Sequence, residues 1–203
     1  MGKGTDRLKL VLAFAAIYII WGSTYLGIRY AIETMPPLAM ASLRFVIAGV
    51  LFMGYARLTG VAMPTKRQWR DALVIGTLML GGGTGTVTWA EQWVPSGLAA
   101  LLVAGVPMWI VLVDWIRPGG ERPGTPVVAG LIIGFAGVAL LMDSDLGLGD
   151  GYLVAAIAVV LASSLWATGS IMSRHADSPK SQSMATGLKM VLGGFSLAVA
   201  AAL

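Results

Sequence analysis

The sequence predicts an all-α membrane protein: a polytopic transmembrane helix bundle with seven spans of an expected ten, built as inverted-topology five-helix repeats. Three observations carry this. First, of 203 residues 57% are hydrophobic and only 12% charged, against about 25% charged in soluble domains; so few charges cannot cover the surface of a soluble fold. Second, runs of about 20 apolar residues, the length that crosses a bilayer as a helix, recur along the chain between short polar connectors. Third, the chain matches itself at a fixed offset. Cysteine is absent, which excludes disulfides and thiolate chemistry.

In chain order the predicted spans are Leu8–Tyr30, Pro37–Leu58, Asp71–Trp89, Val94–Ile116, Pro126–Met142, Tyr152–Ser173 and Gln182–Leu203. Lys3, Arg7 and Lys9 before the first run resemble a signal-peptide start, but the run exceeds a typical h-region and further spans follow, so it reads as a span. Pro37 and Pro126 stand where helices begin, where a missing N–H costs nothing. Backbone groups in lipid must satisfy one another, so the runs are helices, and none shows the alternation of a barrel strand.

All but three of the fourteen Lys and Arg fall in the N-terminus (Lys3, Arg7, Lys9) or in alternate connectors (Arg57, Lys66, Arg67, Arg70; Arg117, Arg122; Arg174, Lys180). The opposite loops carry Glu33, Glu91, Asp143, Asp145 and Asp150. This asymmetry, rather than nucleic-acid binding, explains the basic pI of 9.6 and predicts a cytoplasmic N-terminus. Trp69 and Trp115 fall near the inner interface, Trp89 and Trp93 near the outer one.

An offset of 145 residues aligns Trp21 with Trp166, Arg29 with Arg174, Leu43 with Leu188, Arg44 with Lys189, Val46 with Val191 and Gly49 with Gly194. Five spans per unit is an odd number, so the second unit enters from the opposite side, as in the inverted repeats of secondary transporters. Two full copies need about 290 residues. The second copy holds two spans and the sequence ends inside the apolar run Gly193–Leu203, so three more helices are expected beyond it.

An ordered set of short stretches accompanies this pattern: Trp21-Gly-Ser-Thr-Tyr25, Leu43-Arg-Phe45, Trp89-Ala-Glu-Gln and Val94-Pro-Ser-Gly-Leu-Ala-Ala-Leu-Leu102. Pro107, the turn Gly120–Arg122, Gly134-Phe-Ala-Gly-Val138 and Ser164-Leu-Trp-Ala167 follow. Together they resemble the EamA-like family of the drug/metabolite transporter superfamily. The resemblance implies a first EamA-like repeat over residues 8–142 and the start of a second over 152–203. It also implies a ten-helix secondary transporter, usually in the bacterial inner membrane, that exports small metabolites, amino acids or drugs by alternating access. The other reading is a non-transporting membrane subunit or an incomplete remnant of such a carrier.

Candidate substrate-binding residues are those whose chemistry is costly in lipid. Arg44 and Lys189 each lie about 10 Å into a span, a depth at which a cation usually faces a polar cavity and attracts an anionic or zwitterionic group; the alternative is snorkelling to an interface. Trp21 and Trp166 sit at matched positions with Ser23, Thr24 and Tyr25 or Thr168 and Ser170 nearby, either as aromatic walls for an amphipathic solute or as packing between helices. Trp89 and Glu91 form a gate or proton site, or Glu91 is a solvated loop acid, the reading its connector favours. Asp114 and Arg117 suit a local i,i+3 pair.

Gly81-Gly-Gly-Thr-Gly-Thr86 lacks the Gly-Lys-Ser/Thr ending of a phosphate loop. It reads as close helix packing through GxxxG spacing, as does Gly130–Gly134, or as local unwinding; Pro107 reads as packing or as a kink. One histidine, His175, rules out a multi-histidine metal site, and no hydrolase or metalloprotease motif occurs. The expectation is therefore no enzyme, no cofactor, no metal and no nucleic acid. The partners are the lipid bilayer and a small-molecule substrate, with a homo-oligomer left open.

Overall fold

A computed structural model describes residues 3–142 and 151–203, with side chains from Arg7 to Leu140 and from Gly151 to Leu203. The loop carrying Asp143, Asp145 and Asp150 lies outside the described residues. Every regular element among those described is a helix: α1 (Lys3–Ile32), α2 (Pro37–Leu58), α3 (Lys66–Gly76), a π-helical segment (Thr77–Gly85), α4 (Thr86–Ala90), α5 (Ser96–Val103), α6 (Val106–Ile116), α7 (Thr125–Met142), α8 (Tyr152–His175) and α9 (Gln182–Ala201). Six helical rods among the described residues are long and apolar enough to cross a membrane, with α3, the π segment and α4 forming one rod and α5 with α6 another. The predicted fifth span is helical as α7, but its described apolar stretch, Thr125–Leu140, is shorter than the other six.

The helix starts follow local chemistry. Pro37 opens α2 after an extended Pro36. A capping box opens α3, with the Gln68 amide donating to Thr65 Oγ1 at 3.3 Å and the Thr65 amide to Gln68 Oε1 at 3.1 Å, so two otherwise orphaned donors are satisfied. That box starts the third rod at Lys66, five residues before the predicted Asp71. Ser181 caps α9 through the Met184 amide. Gly151, at φ +97°, turns the chain into α8 beneath the Trp93 ring.

Two features were not expected. The third rod stays helical through its glycines by widening to a π-helix rather than unwinding. Its glycines are spacers: a Cβ on Gly81 would meet Ser196 of α9, on Gly82 Leu165 and on Gly83 Trp166 of α8, and on Gly85 Leu197 of α9. The fourth rod breaks at Ala104–Gly105, which places Pro107 in the first turn of α6 rather than at a mid-helix kink.

The most extensive contact between helices joins α2 to α9. A Cβ on Gly49 would lie 2.7 Å from the Val191 amide nitrogen and 2.8 Å from the Gly187 carbonyl. A Cβ on Gly194 would lie 3.0 Å from the Val46 nitrogen, and Ser42 donates to the Gly194 carbonyl at 2.8 Å. These contacts are reciprocal under the 145-residue offset: Gly49–Val191 exchanges with Val46–Gly194, and Gly49–Gly187 with Ser42–Gly194. A second core joins Val87 and Ala90 of α4 to Leu98, Ala99 and Leu102 of α5 and to Tyr152, Ala155 and Val159 of α8.

Outside these seams the surface is apolar. Leu8, Leu10, Val11, Leu12, Phe14 and Ile17 of α1 are each more than half exposed, an unbroken face that a bilayer covers and water does not. Two of the basic connectors meet at one end: Gln68 donates to Asp177 at 3.3 Å and the Asp177 amide to Asp71 at 3.3 Å. At the other end Arg29 meets the Glu91 carbonyl and Trp93 covers Gly151.

Two predictions follow from this packing. Because the chain has no cysteine, single cysteines can be read without background. Met35→Cys and Lys180→Cys, one repeat offset apart, are expected to react with a membrane-impermeant maleimide from opposite faces; reaction from the same face would mean that α7 does not cross. Gly49→Val is expected to lower the detergent unfolding stability by about 1–3 kcal/mol through overpacking. Gly54→Ala, on the same helix with nothing within 4 Å of its Cβ position, is expected to leave it unchanged or raise it.

Candidate functional site

Polar side chains gather in two places. At the acidic-loop end, α4 terminates at Glu91, whose residue is fully buried. Neither carboxylate oxygen accepts a hydrogen bond among the described residues. Two guanidinium groups act on this charge, Arg29 from the last turn of α1 and Arg44 from α2. Arg29 Nη1 donates to the Glu91 carbonyl, with the Gln92 carbonyl at 3.4 Å. Arg44 is half-buried, its Nε is buried without a partner, and its guanidinium carbon stands 4.7 Å from the Phe45 ring centroid, a cation–π distance. Glu91 follows the last residue of the third rod. Burial pushes its carboxyl up to about 8, against the opposing pull of Arg29 and Arg44.

At the basic-loop end, the third rod, α8 and α9 line a half-open cleft of about 290 Å³. Lys189, Ser170, Ser173, Gln182 and Thr186 form its polar wall. Met79, Leu80 and Met190 form the apolar wall, with Gly76 between. Lys189 Nζ donates to Ser173 Oγ, which fixes the ammonium on α8.

The ten sequence-predicted residues divide unevenly between these places. Tyr25 is half-buried against the α4–α5–α8 core, within reach of the Trp21 indole and of the Glu91 charge. Arg44 and Glu91 share the acidic-loop end, with Trp89 half-buried beside them and its ring 4.8 Å from that of Trp93. Lys189 lies in the other cavity. Trp21 is 56% exposed on the outer face of α1. Ser23 and Thr24 hydroxyls donate back to the Ile20 carbonyl at 3.1 and 2.8 Å. Thr168 does the same to Ser164 at 2.8 Å, and Trp166 packs over Gly83.

The reading of Glu91 as a solvated loop acid is corrected: Arg29 and the closing helices remove it from solvent. Sequence reasoning placed Arg29 at a span edge without a partner and, of the cavity's polar wall, missed Ser173, Gln182 and Thr186. A hydroxyl or amide at each turn facing Lys189 was the available signal. Asp114 and Arg117 do pair, at 2.6 Å.

Long apolar helices, lipid-compatible surfaces and buried mid-helix charges define a multi-pass α-helical membrane protein. The chain belongs to the EamA-like transporter family, whose profile matches residues 8–143. It is 38% identical over 95% of its length to the uncharacterized inner membrane transporter YedA of Escherichia coli, covering 62% of that protein. It is 29% identical over 97% of its length to the uncharacterized transporter YvbV of Bacillus subtilis, covering 64% of it. The chain thus spans under two thirds of the length of these relatives. No solved structure matches it. The family and these relatives are named for transport; no group of three or more metal-ligating side chains occurs among the described residues.

The buried carboxyl gives a pH prediction. With Glu91 held near 8 rather than 4.5, between those values the folded protein keeps a proton that the unfolded chain has released. Stability therefore falls as pH rises through that window. Thermal unfolding in detergent is expected to show the decline in the parent and a flatter profile in Glu91→Gln, whose midpoint exceeds the parent's above pH 8. A parallel pair of profiles would place the carboxyl in water.

Proposed function

We propose that this chain is part of a secondary transporter that moves small metabolites, amino acids or drugs across the bacterial inner membrane by alternating access. Its helices would form a first five-span repeat over residues 8–142 and the beginning of an inverted second repeat over 152–203, within a ten-helix carrier. The observation that carries the reading is the reciprocal packing of α2 on α9. Two helices at matched positions of the offset meet through matched contacts, as related helices do about a two-fold axis, and transporter sites form at such repeat interfaces. Family membership and the names of the relatives from Escherichia coli and Bacillus subtilis support the same reading. The basic connectors support an N-terminus in the cytoplasm.

Arg44 and Lys189 carry the polar chemistry of this interface from the two sides, with Tyr25, Trp89 and Glu91 around the first. In proteoliposomes of the full-length protein, preloaded with labelled amino acids, organic acids and amines, at least one solute is expected to leave faster than from protein-free vesicles. Arg44→Ala, folded by its unfolding midpoint, is expected to remove most of the difference. Absence of efflux for every solute would favour the non-transporting subunit.

A further inference from the structure

The cavity at the basic-loop end has a chemistry more specific than a buried cation requires. Lys189 is the only charged residue on its wall among the described residues; no acid lines it. Asp71 and Asp177 at that end are engaged elsewhere: Asp71 holds Arg70 and the Asp177 amide, and Asp177 takes the Gln68 amide group. An ammonium has three donors, and Ser173 accepts one. Gln182 begins α9 at the mouth, and Lys189 lies about 10 Å further along the helix.

The 145-residue offset supplies an internal comparison. Of the positions matching the polar wall, those of Ser173, Gln182 and Thr186 are Ile28, Pro37 and Ala41, all apolar, while that of Ser170 is Tyr25. Arg44, the match of Lys189, is thus accommodated without that set of polar neighbours. The hydroxyls and the amide around Lys189 are therefore not a condition for placing a cation at this depth. They add hydrogen-bonding capacity beside a single positive charge, opposite an apolar wall.

A site with one cation, several hydroxyls, no acid and an apolar face matches a solute with one negative head and a short apolar tail. A dianion would leave one charge uncompensated in a site of low dielectric, and a zwitterion would find no carboxylate for its ammonium. The volume of about 290 Å³ lies at the lower limit for pockets that enclose drug-sized ligands.

We infer that this cavity binds a small monocarboxylate, its carboxylate on Lys189 and the Ser173 and Thr186 hydroxyls, its tail against Met79, Leu80 and Met190. The inference rests on the transporter reading above and narrows its substrate class.

The test is equilibrium binding of radiolabelled hexanoate to the full-length protein in nanodiscs, with unlabelled hexanoate, leucine, hexylamine and adipate as competitors. Saturable binding is expected, with hexanoate displacing at least about tenfold better than the other three, the factor that one charge-assisted hydrogen bond supplies. Lys189→Met is expected to weaken binding by about tenfold or more, and Lys189→Arg to retain most of it. Should Lys189→Met fail to fold, Ser173→Ala and Thr186→Val decide: weaker hexanoate binding supports the site, unchanged binding overturns it.

Equal displacement by leucine, hexylamine or adipate, or parent-like binding by folded Lys189→Met, overturns the assignment. Efflux of other solutes from vesicles without hexanoate binding would remove the carboxylate site and leave the transporter reading standing. Hexanoate binding at Lys189 without efflux of any solute would do the reverse.

Discussion

The arrangement depends on backbone-to-backbone contact between α2 and α9. In lipid no hydrophobic force draws helices together, and association relies on close packing that only small residues permit. Gly49, Gly187 and Gly194 supply that closeness, and Ser42 adds a hydrogen bond to a carbonyl. The adjacent Gly193 serves a different neighbour: a Cβ there would lie 2.6 Å from the Gly76 carbonyl of α3. Successive residues point about 100° apart on a helix, so the Gly193–Gly194 pair lets α9 touch two helices at once. Arg44 and Lys189 gain their depth and facing from this three-helix junction. A side chain added at any of these glycines would shift this junction, and at Gly193 or Gly194 it would also meet Leu80 of the cleft or Phe45 beside Arg44.

Sequence reading recovered what depends on length, charge and short spacing. Apolar runs of bilayer length gave six helical rods and the location of α7. The Asp114–Arg117 pair was legible because three residues make less than one helical turn. Features set by distant neighbours were not legible. Glu91 sits among Gln92, Trp93 and Pro95, which read as an exposed connector; its burial comes from Arg29, 62 residues earlier, and from helices closing above it. The π-helix was hidden because glycine tolerates many backbone states, so its geometry is set by Leu165, Trp166 and Leu197 on other helices. Ser23, Thr24 and Thr168 looked like substrate contacts because composition does not reveal that a helical hydroxyl donates to its own preceding turn.

The two polar regions differ in how they treat charge. At the acidic-loop end a carboxylate and two guanidinium groups interact without direct side-chain hydrogen bonds between them, which is costly for buried ions. The burial that excludes water also raises the Glu91 carboxyl toward neutrality, so protonation is one way for the structure to relieve that cost. At the basic-loop end the single ammonium has an immediate partner in Ser173 and polar neighbours along one wall. One region holds its charges by burial among protein groups, the other by leaving space around them.

Residue size explains why space opens beside Lys189. The residues matching Tyr25 and Phe45 under the offset are Ser170 and Met190, and both line the cavity beside Lys189. An aromatic ring at either position fills volume that a hydroxymethyl group or a flexible thioether leaves free. Around Arg44 the Phe45 ring meets the guanidinium directly, and Tyr25 packs into the α4–α5–α8 core. Positions one offset apart therefore hold a cation against an aromatic ring on one side and beside a half-open polar cleft on the other. In the carrier proposed above, such divergence lets one position supply packing while the other supplies recognition, although the same helix geometry positions both.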